Sequence, residues 1–175
     1  FGAKITNTNT LSKFDLGYKW SNHNKEFYKT KSVYPNQNAE ILFIERCLQL
    51  LKEGGRMGIV LPNGNFENPS LEYLRYYIKL KAKILAIVNL PQETFIPFGT
   101  GVKTSLLFLE KETPNKIRQY PIFFGRVKKL GYQGNKNGTP LYQKDKYGQI
   151  VKDKNGQPII DEDFSVIVDA YKEFQ

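Results

Sequence analysis

Between residues 38 and 62 the chain changes its hydrophobic period, and that change restricts the fold more than any other feature. In NAEILFIERCLQLLKEGG, Ile41, Ile44, Leu48 and Leu51 recur at helical spacing, with Leu42 widening the stripe. Asn38 is placed to cap this helix, Glu40 suits its first turn, and Gly54-Gly55 stop it. RMGIVLP follows as a short, almost wholly apolar run. A strand of that composition is buried on both faces, which points to a parallel sheet covered by helices.

The alternation continues downstream. Asn68 can cap a second helix, Pro69 fits its first position, and Leu71, Leu74 and Ile78 share one face. ILAIVNLP, TSLLFLEK and RQYPIFFGRV read as three more strands. The first two are joined only by the loop QETFIPFGTGVK, so at least one antiparallel hairpin is expected. The order implies a layered α/β domain over residues 1–125, with right-handed crossovers. Residues 1–37 are polar, with scattered aromatics and no period, and read as a long loop; in a compact domain such a loop is functional or mobile.

The texture changes near residue 130. KNGTPLY at 136–142, KYGQIV at 146–151 and KNGQPII at 154–160 are related phrases spaced ten and eight residues apart. Asn-Gly between β-formers favours tight hairpin turns. Three short phrases cannot build a solenoid, so a small, basic β-ribbon is expected over the extension 126–175, ending in a helix at DEDFSVIVDAYKEF.

Charge is segregated along the chain. Residues 1–38 carry a net +4, residues 39–102 are nearly balanced, residues 103–154 carry +8, and the tail reverses sign. Two basic segments around a neutral core suit a polyanion gripped from both sides; the alternative reading is that abundant lysine serves solubility alone. The apolar runs are strand-sized, too short for a membrane span, and the start lacks the pattern of a signal peptide. Cys47 stands alone, which excludes an internal disulfide and suggests the cytoplasm. His23 has no spaced partners for a metal, and Gly54-Gly55 follow a helix rather than a strand, so they are no nucleotide fingerprint. Asn68-Pro69-Ser70-Leu71 reads as a helix cap.

LLKEGGRMGIVLPNG followed by IVNLPQETFIPFGTGVKTSLLFLEK resembles the adenine-N6 DNA methyltransferases, most closely the modification subunit of type I restriction–modification systems. In that family a helix ends at Gly-Gly-Arg, and the next strand ends in Leu-Pro-Asn-Gly. A later Leu-Pro precedes a Phe-containing loop that runs through Thr-Gly-Val and Thr-Ser into a strand closing on Lys. Residues 39–111 keep this order. The resemblance implies part of a Rossmann-like S-adenosylmethionine-dependent methyltransferase sheet, its C-terminal half. It also explains FGAKIT: Phe1-Gly2 stand where the catalytic Asn-Pro-Pro-aromatic signature would continue, as if the chain were cut just after Asn-Pro-Pro.

The chemistry requires an adenine to leave the duplex stack and enter a pocket. By resemblance, Phe1 and Gly2 form one side of that slot and Phe95 the other, with Phe98 the substitute if the loop shifts register. Thr100 and Gly101 belong to a constrained loop with close backbone approach. Lys4, Lys103, Arg126, Lys128 and Lys129 are candidates for DNA contact. S-adenosylmethionine would be held by upstream motifs that this sequence does not contain, so no cofactor-binding residue is assigned and the chain alone is expected to be inactive. Double-stranded DNA is the implied partner, with specificity and restriction subunits in the intact system. An unpaired sheet edge would call for a homodimer or for a covering segment such as residues 1–37. The alternatives are a module binding DNA or a specificity subunit without catalysis, and an unrelated α/β domain.

Overall fold

The computed structural model describes residues 2–112 and 119–175. They form two compact units, residues 2–86 with 107–112 and 119–122, and residues 87–106 with 123–175. The element order is β1 (Lys4–Ile5), α1 (Thr8–Leu11), β2 (Tyr18–His23), β3 (Glu26–Val33), β4 (Gln37–Asn38), α2 (Ala39–Leu50), β5 (Arg56–Pro62), α3 (Gly64–Glu67), α4 (Glu72–Lys81), β6 (Ala82–Asn89), β7 (Thr104–Lys111), β8 (Phe123–Arg126) and α5 (Phe164–Phe174).

The main sheet has the order β5-β7-β6-β8. Its strand directions follow from which ends meet. Leu90 N–H donates to Thr104 O and Glu112 N–H to Lys81 O, so β6 and β7 are antiparallel. Gly54 N–H donates to Lys111 O, and Lys111 N–H to Gly55 O, so β5 is antiparallel to β7 as well. Val127 N–H donates to Asn89 O at the shared C-terminal end of β8 and β6, which makes that pair parallel. The expected burial on both faces is not found: in β5 only Leu61 is buried, β6 alternates buried with less buried positions, and Phe108 of β7 is exposed. Nor is the sheet uniformly parallel, since β7 runs against both neighbours. Among the described strands β5 is paired on one side only.

The first unit is built around Leu11, Leu16, Ile41, Ile44, Leu61, Leu74, Leu107 and Leu109, all essentially inaccessible. Ile41, Ile44 and Leu48 on α2, and Leu74 and Ile78 on α4, are the positions that the helical period marked. Asn38 precedes α2 without making a side-chain cap, whereas Asn68 accepts from Ser70 N–H and opens a 3-10 turn, Pro69–Leu71, that leads into α4. The last turn of α4 carries Lys79 and Lys81, which oppose the negative end of the helix dipole.

Residues 1–37 are not a loop. β2 and β3 form an antiparallel hairpin whose turn residues, Asn24 and Lys25, have φ of 51° and 66°. That is the left-handed pair of a tight hairpin turn, normally Asn-Gly, and a lysine in the second position hides the signal. The hairpin is held by its aromatics. Trp20 stacks on Tyr73 at 6.3 Å and meets Tyr77 edge-on at 6.0 Å, while Phe27 lies 5.5 Å from Tyr76. Residues 18–33 thus cover α4. The buried Glu45 carboxylate accepts from Asp15 N–H at 2.9 Å and Leu16 N–H at 2.8 Å, and fastens the preceding segment to α2.

The second unit has a smaller core, Val88, Leu90 and Val127, with Phe95, Leu106, Leu130 and Ile167 packed against it. On its outer side Phe123 of β8 meets Tyr171 and Phe174 of α5 at 5.3 and 5.6 Å. Residues 130–162 carry isolated bridges instead of continuous strands.

Candidate DNA-facing site

The site grows out of the segment between β6 and β7. Pro91 ends the extended run, and a 3-10 turn, Gln92–Phe98, follows. Thr94 anchors it at both ends: its Oγ1 donates to Pro91 O at 2.6 Å, and its carbonyl accepts from Tyr132 Oη at 2.6 Å. Gly99 stops the turn at φ 88°, a conformation that costs glycine nothing. Thr100 N–H then donates to Phe95 O, and Thr100 Oγ1 accepts from Val102 N–H. Thr104 and Ser105 are both buried, so the Thr-Ser pair is a packed strand start.

Two rings ride on this turn. In a 3-10 helix residues three apart lie on one side, and Phe95 and Phe98 have centroids 6.3 Å apart at 57°. Phe95 packs against the core of the second unit, whereas Phe98 is 77% exposed. The ring available to a ligand in this conformation is therefore Phe98. Gly101 is exposed, and a Cβ built on it would meet nothing within 4 Å, so no close backbone approach is visible there.

Beside the turn lies a cavity of about 360 Å³ lined by Asn89, Leu90, Pro91, Gln92, Glu93, Lys103, Arg126, Val127 and Lys128. Three cations face one carboxylate. Lys103, Arg126 and Lys128 make no ion pair among the described residues. The structure thus brings together three of the five basic residues singled out by sequence, and Lys129 lies apart from them. Lys129 Nζ lies 2.8 Å from Asp161 Oδ1, an ion pair that raises its pKa, and it lines a second cavity with Asp161, Glu162 and Asp163. Asp163 accepts from the N–H groups of Lys128 and Lys129, which holds its carboxyl below the usual range and fixes the backbone beneath both lysines.

The remaining candidates lie in the first unit. Lys4 is exposed on β1. Gly2 has φ 85° and its N–H donates to Glu40 Oε2 at 3.4 Å. Phe1, which the resemblance sets opposite Phe95, lies outside the described residues.

Sequence reading missed how the extension supports the turn. A Cβ on Gly134 would fall 2.3 Å from Glu93 Cβ, and one on Gly138 would sit 3.2 Å from Pro97 Cβ. The segment 132–138 is thus packed onto the 3-10 turn. The only signal in the sequence was glycine at 134 and 138, which looked like ordinary turn chemistry.

Comparison with known proteins follows the same lines. Residues 6–175 match the family model described as N-6 DNA Methylase. The type I restriction enzyme StySJI methylase subunit of Salmonella typhimurium is 33% identical over 88 residues, 50% of this chain and 16% of that protein. The type I restriction enzyme EcoKI methylase subunit of Escherichia coli K12 is 33% identical over 82 residues, 46% of this chain and 15% of that protein. The match therefore spans about a sixth of the length of these relatives. Among solved structures, a Listeria monocytogenes protein described as a class I S-adenosylmethionine-dependent methyltransferase superposes with a TM-score of 0.52 at 20% identity, covering 71% of this chain and 33% of that one. That likeness establishes the fold, part of a Rossmann-like methyltransferase sheet.

Proposed function

The chain belongs to the N-6 DNA methylase family, and from that premise we propose that it carries the DNA-facing part of an adenine-N6 methyltransferase catalytic domain, of the kind found in type I restriction–modification systems. The observation that supports this best is an exposed ring beside a cavity of net positive charge: Phe98 closes the 3-10 turn, and Lys103, Arg126 and Lys128 outnumber Glu93 around the cavity that the turn helps line. A flipped adenine needs both, a flat apolar face for the base and cations for the flanking phosphates. Double-stranded DNA is the substrate on this reading, and specificity and restriction subunits are the partners of the intact system.

The methyl donor is S-adenosylmethionine in this chemistry, and the described residues do not fit it. Its sulfonium is a cation, which a cavity lined by Lys103, Arg126 and Lys128 repels. Neither β5, β6 nor β8 ends in a glycine-rich turn followed by a carboxylate that could take ribose hydroxyls. What these residues do is hold DNA, and the free side of β5 offers an edge for a further strand or a second copy.

Incubated with S-adenosylmethionine and duplex DNA, the chain is expected to incorporate no methyl groups; measurable turnover would overturn the assignment of donor binding to residues elsewhere. Phe98→Ala tests the base-facing role. It is expected to weaken binding to a duplex bearing one unpaired adenine by roughly 1–3 kcal/mol, the worth of one stacked base. Because the ring is 77% exposed, the melting temperature should hardly move. Unchanged affinity would remove Phe98 from the slot.

A further inference from the structure

Residues 144–151, KDKYGQIV, and 152–159, KDKNGQPI, are two copies of one octad. The structure shows why the period is eight. Gln143, Val151 and Ile159 stand eight apart, and their backbones bond in a closed ring: Val151 N–H donates to Gln143 O, Ile159 N–H to Val151 O, and Gln143 N–H to Ile159 O, at 2.9, 3.0 and 2.9 Å. The flanking residues repeat the pattern, with bridges 142 to 160, 144 to 150 and 152 to 158. This is a miniature module with pseudo-threefold symmetry rather than an open ribbon.

Its turns are equally regular. Asp145 Oδ1 accepts from the N–H groups of Tyr147 and Gln149, and Asp153 Oδ1 accepts from those of Asn155 and Gln157. Each turn closes on a glycine, Gly148 at φ 82° and Gly156 at φ 81°. The aspartates therefore serve the backbone. The lysines do not: Lys144, Lys146, Lys152 and Lys154 are exposed at repeated positions around each turn and make no ion pair among the described residues. None of residues 143–158 is buried, so the module makes no core contribution that would account for it. Tyr147, 76% exposed, lies under Lys146 Nζ at 4.9 Å, an aromatic set among cations.

We propose that this module grips the sugar–phosphate backbone of duplex DNA, without regard to sequence and outside the base slot. The occupant follows from charge complementarity and from continuity. Four repeated lysines stand against two aspartates already engaged by backbone N–H groups, an arrangement suited to phosphates rather than to an apolar protein face. The preceding segment 132–138, with the same Asn/Asp-Lys-x-Gly turn at 135–138, packs on the 3-10 turn that bears Phe98, so both surfaces belong to one unit. The inference rests on the DNA-facing reading above.

The test is duplex binding by the 175-residue chain, followed by anisotropy of a labelled duplex of arbitrary sequence between 50 and 300 mM salt, conditions that span about a Debye length of 6–14 Å. Lys144→Gln, Lys146→Gln, Lys152→Gln and Lys154→Gln together are expected to flatten the log–log salt slope by roughly 3.6, at about 0.9 per phosphate, and to raise Kd at least tenfold at 100 mM salt. A variant of equal net charge in the first unit, Lys13→Gln, Lys19→Gln, Lys31→Gln and Lys79→Gln, should leave the slope nearly intact. An unchanged slope in the module variant, or an equal loss in the charge-matched one, would overturn the proposal. Either result leaves the slot reading standing if Lys103→Gln with Arg126→Gln still weakens binding. Loss on the module variant alone would instead uphold the grip and sink the slot.

Discussion

Replacing Glu45 by alanine is expected to destabilise the chain by roughly 2–5 kcal/mol, the cost of leaving one buried and one half-buried backbone N–H without an acceptor. Glu45 is 2% exposed, and its two oxygens take Asp15 N–H, Leu16 N–H and Gln49 Nε2. Urea unfolding at pH 7 measures the loss; a shift below about 1 kcal/mol would mean that water replaces the carboxylate. Burial, the largest cause, raises the Glu45 pKa above 4.5, and this sets a pH dependence. A raised folded pKa contributes stability that is complete below pH 4.5 and is lost as pH climbs through the folded value. Glu45→Gln, which cannot ionise, should therefore lag the parent most at pH 4 and recover relative to it by pH 7. A gap that widens between those values would show that the hydrogen bonds to Asp15 and Leu16, not desolvation, govern the group.

That carboxylate marks the boundary of what the sequence could show. Glu45 sits on the apolar face of a helix whose period was plain, yet nothing local says that its charge meets Asp15 and Leu16 some thirty residues earlier. The helical stripe at Ile41, Ile44 and Leu48 and the apolar run before Pro62 were legible because burial imposes a period on neighbours in sequence. The hairpin of Tyr18–His23 and Glu26–Val33 was not, because it covers a helix with a few rings and leaves every other position polar. Direction was hidden for a related reason. An apolar run looks the same whether its neighbours run with it or against it, so β7 gave no sign of its reversal.

The candidate site divides along the same line. Lys103, Arg126 and Lys128 were recognisable as basic residues near a loop, but only the pairing of β6 with β7 and β8 gathers them around one cavity. Lys129 was indistinguishable from Lys128 in sequence. Only the fold shows that it pairs with Asp161, more than thirty residues on, whereas Lys128 does not. The resemblance names Phe95 for the slot with Phe98 as its substitute, and the 3-10 turn packs Phe95 on the core and exposes Phe98, a division that the spacing of the two rings does not reveal in sequence.

The largest functional effect expected is on DNA affinity when the cavity loses its cations. Lys103→Gln, Arg126→Gln and Lys128→Gln together should reduce the salt slope by roughly 2.7, at about 0.9 per phosphate released, and weaken duplex binding on the order of a hundredfold at 100 mM salt. Arg126 should carry the largest share, because a guanidinium can take a phosphate through two parallel bonds where an ammonium gives a point charge. Folding should be little affected, since the three cations make no ion pair among the described residues and their removal relieves repulsion around one cavity. Lys129→Gln is the internal control: its charge is matched by Asp161, so it should change the slope by well under one unit. If Lys129→Gln cost as much as Lys128→Gln, the chain would be reading bulk charge, and the cavity would have no special claim on DNA. Since the four lysines of the repeated octads touch different phosphates on this reading, their loss should add to that of the cavity on a logarithmic scale. A combined variant whose salt slope is near zero would then account for the duplex contact through these two surfaces alone.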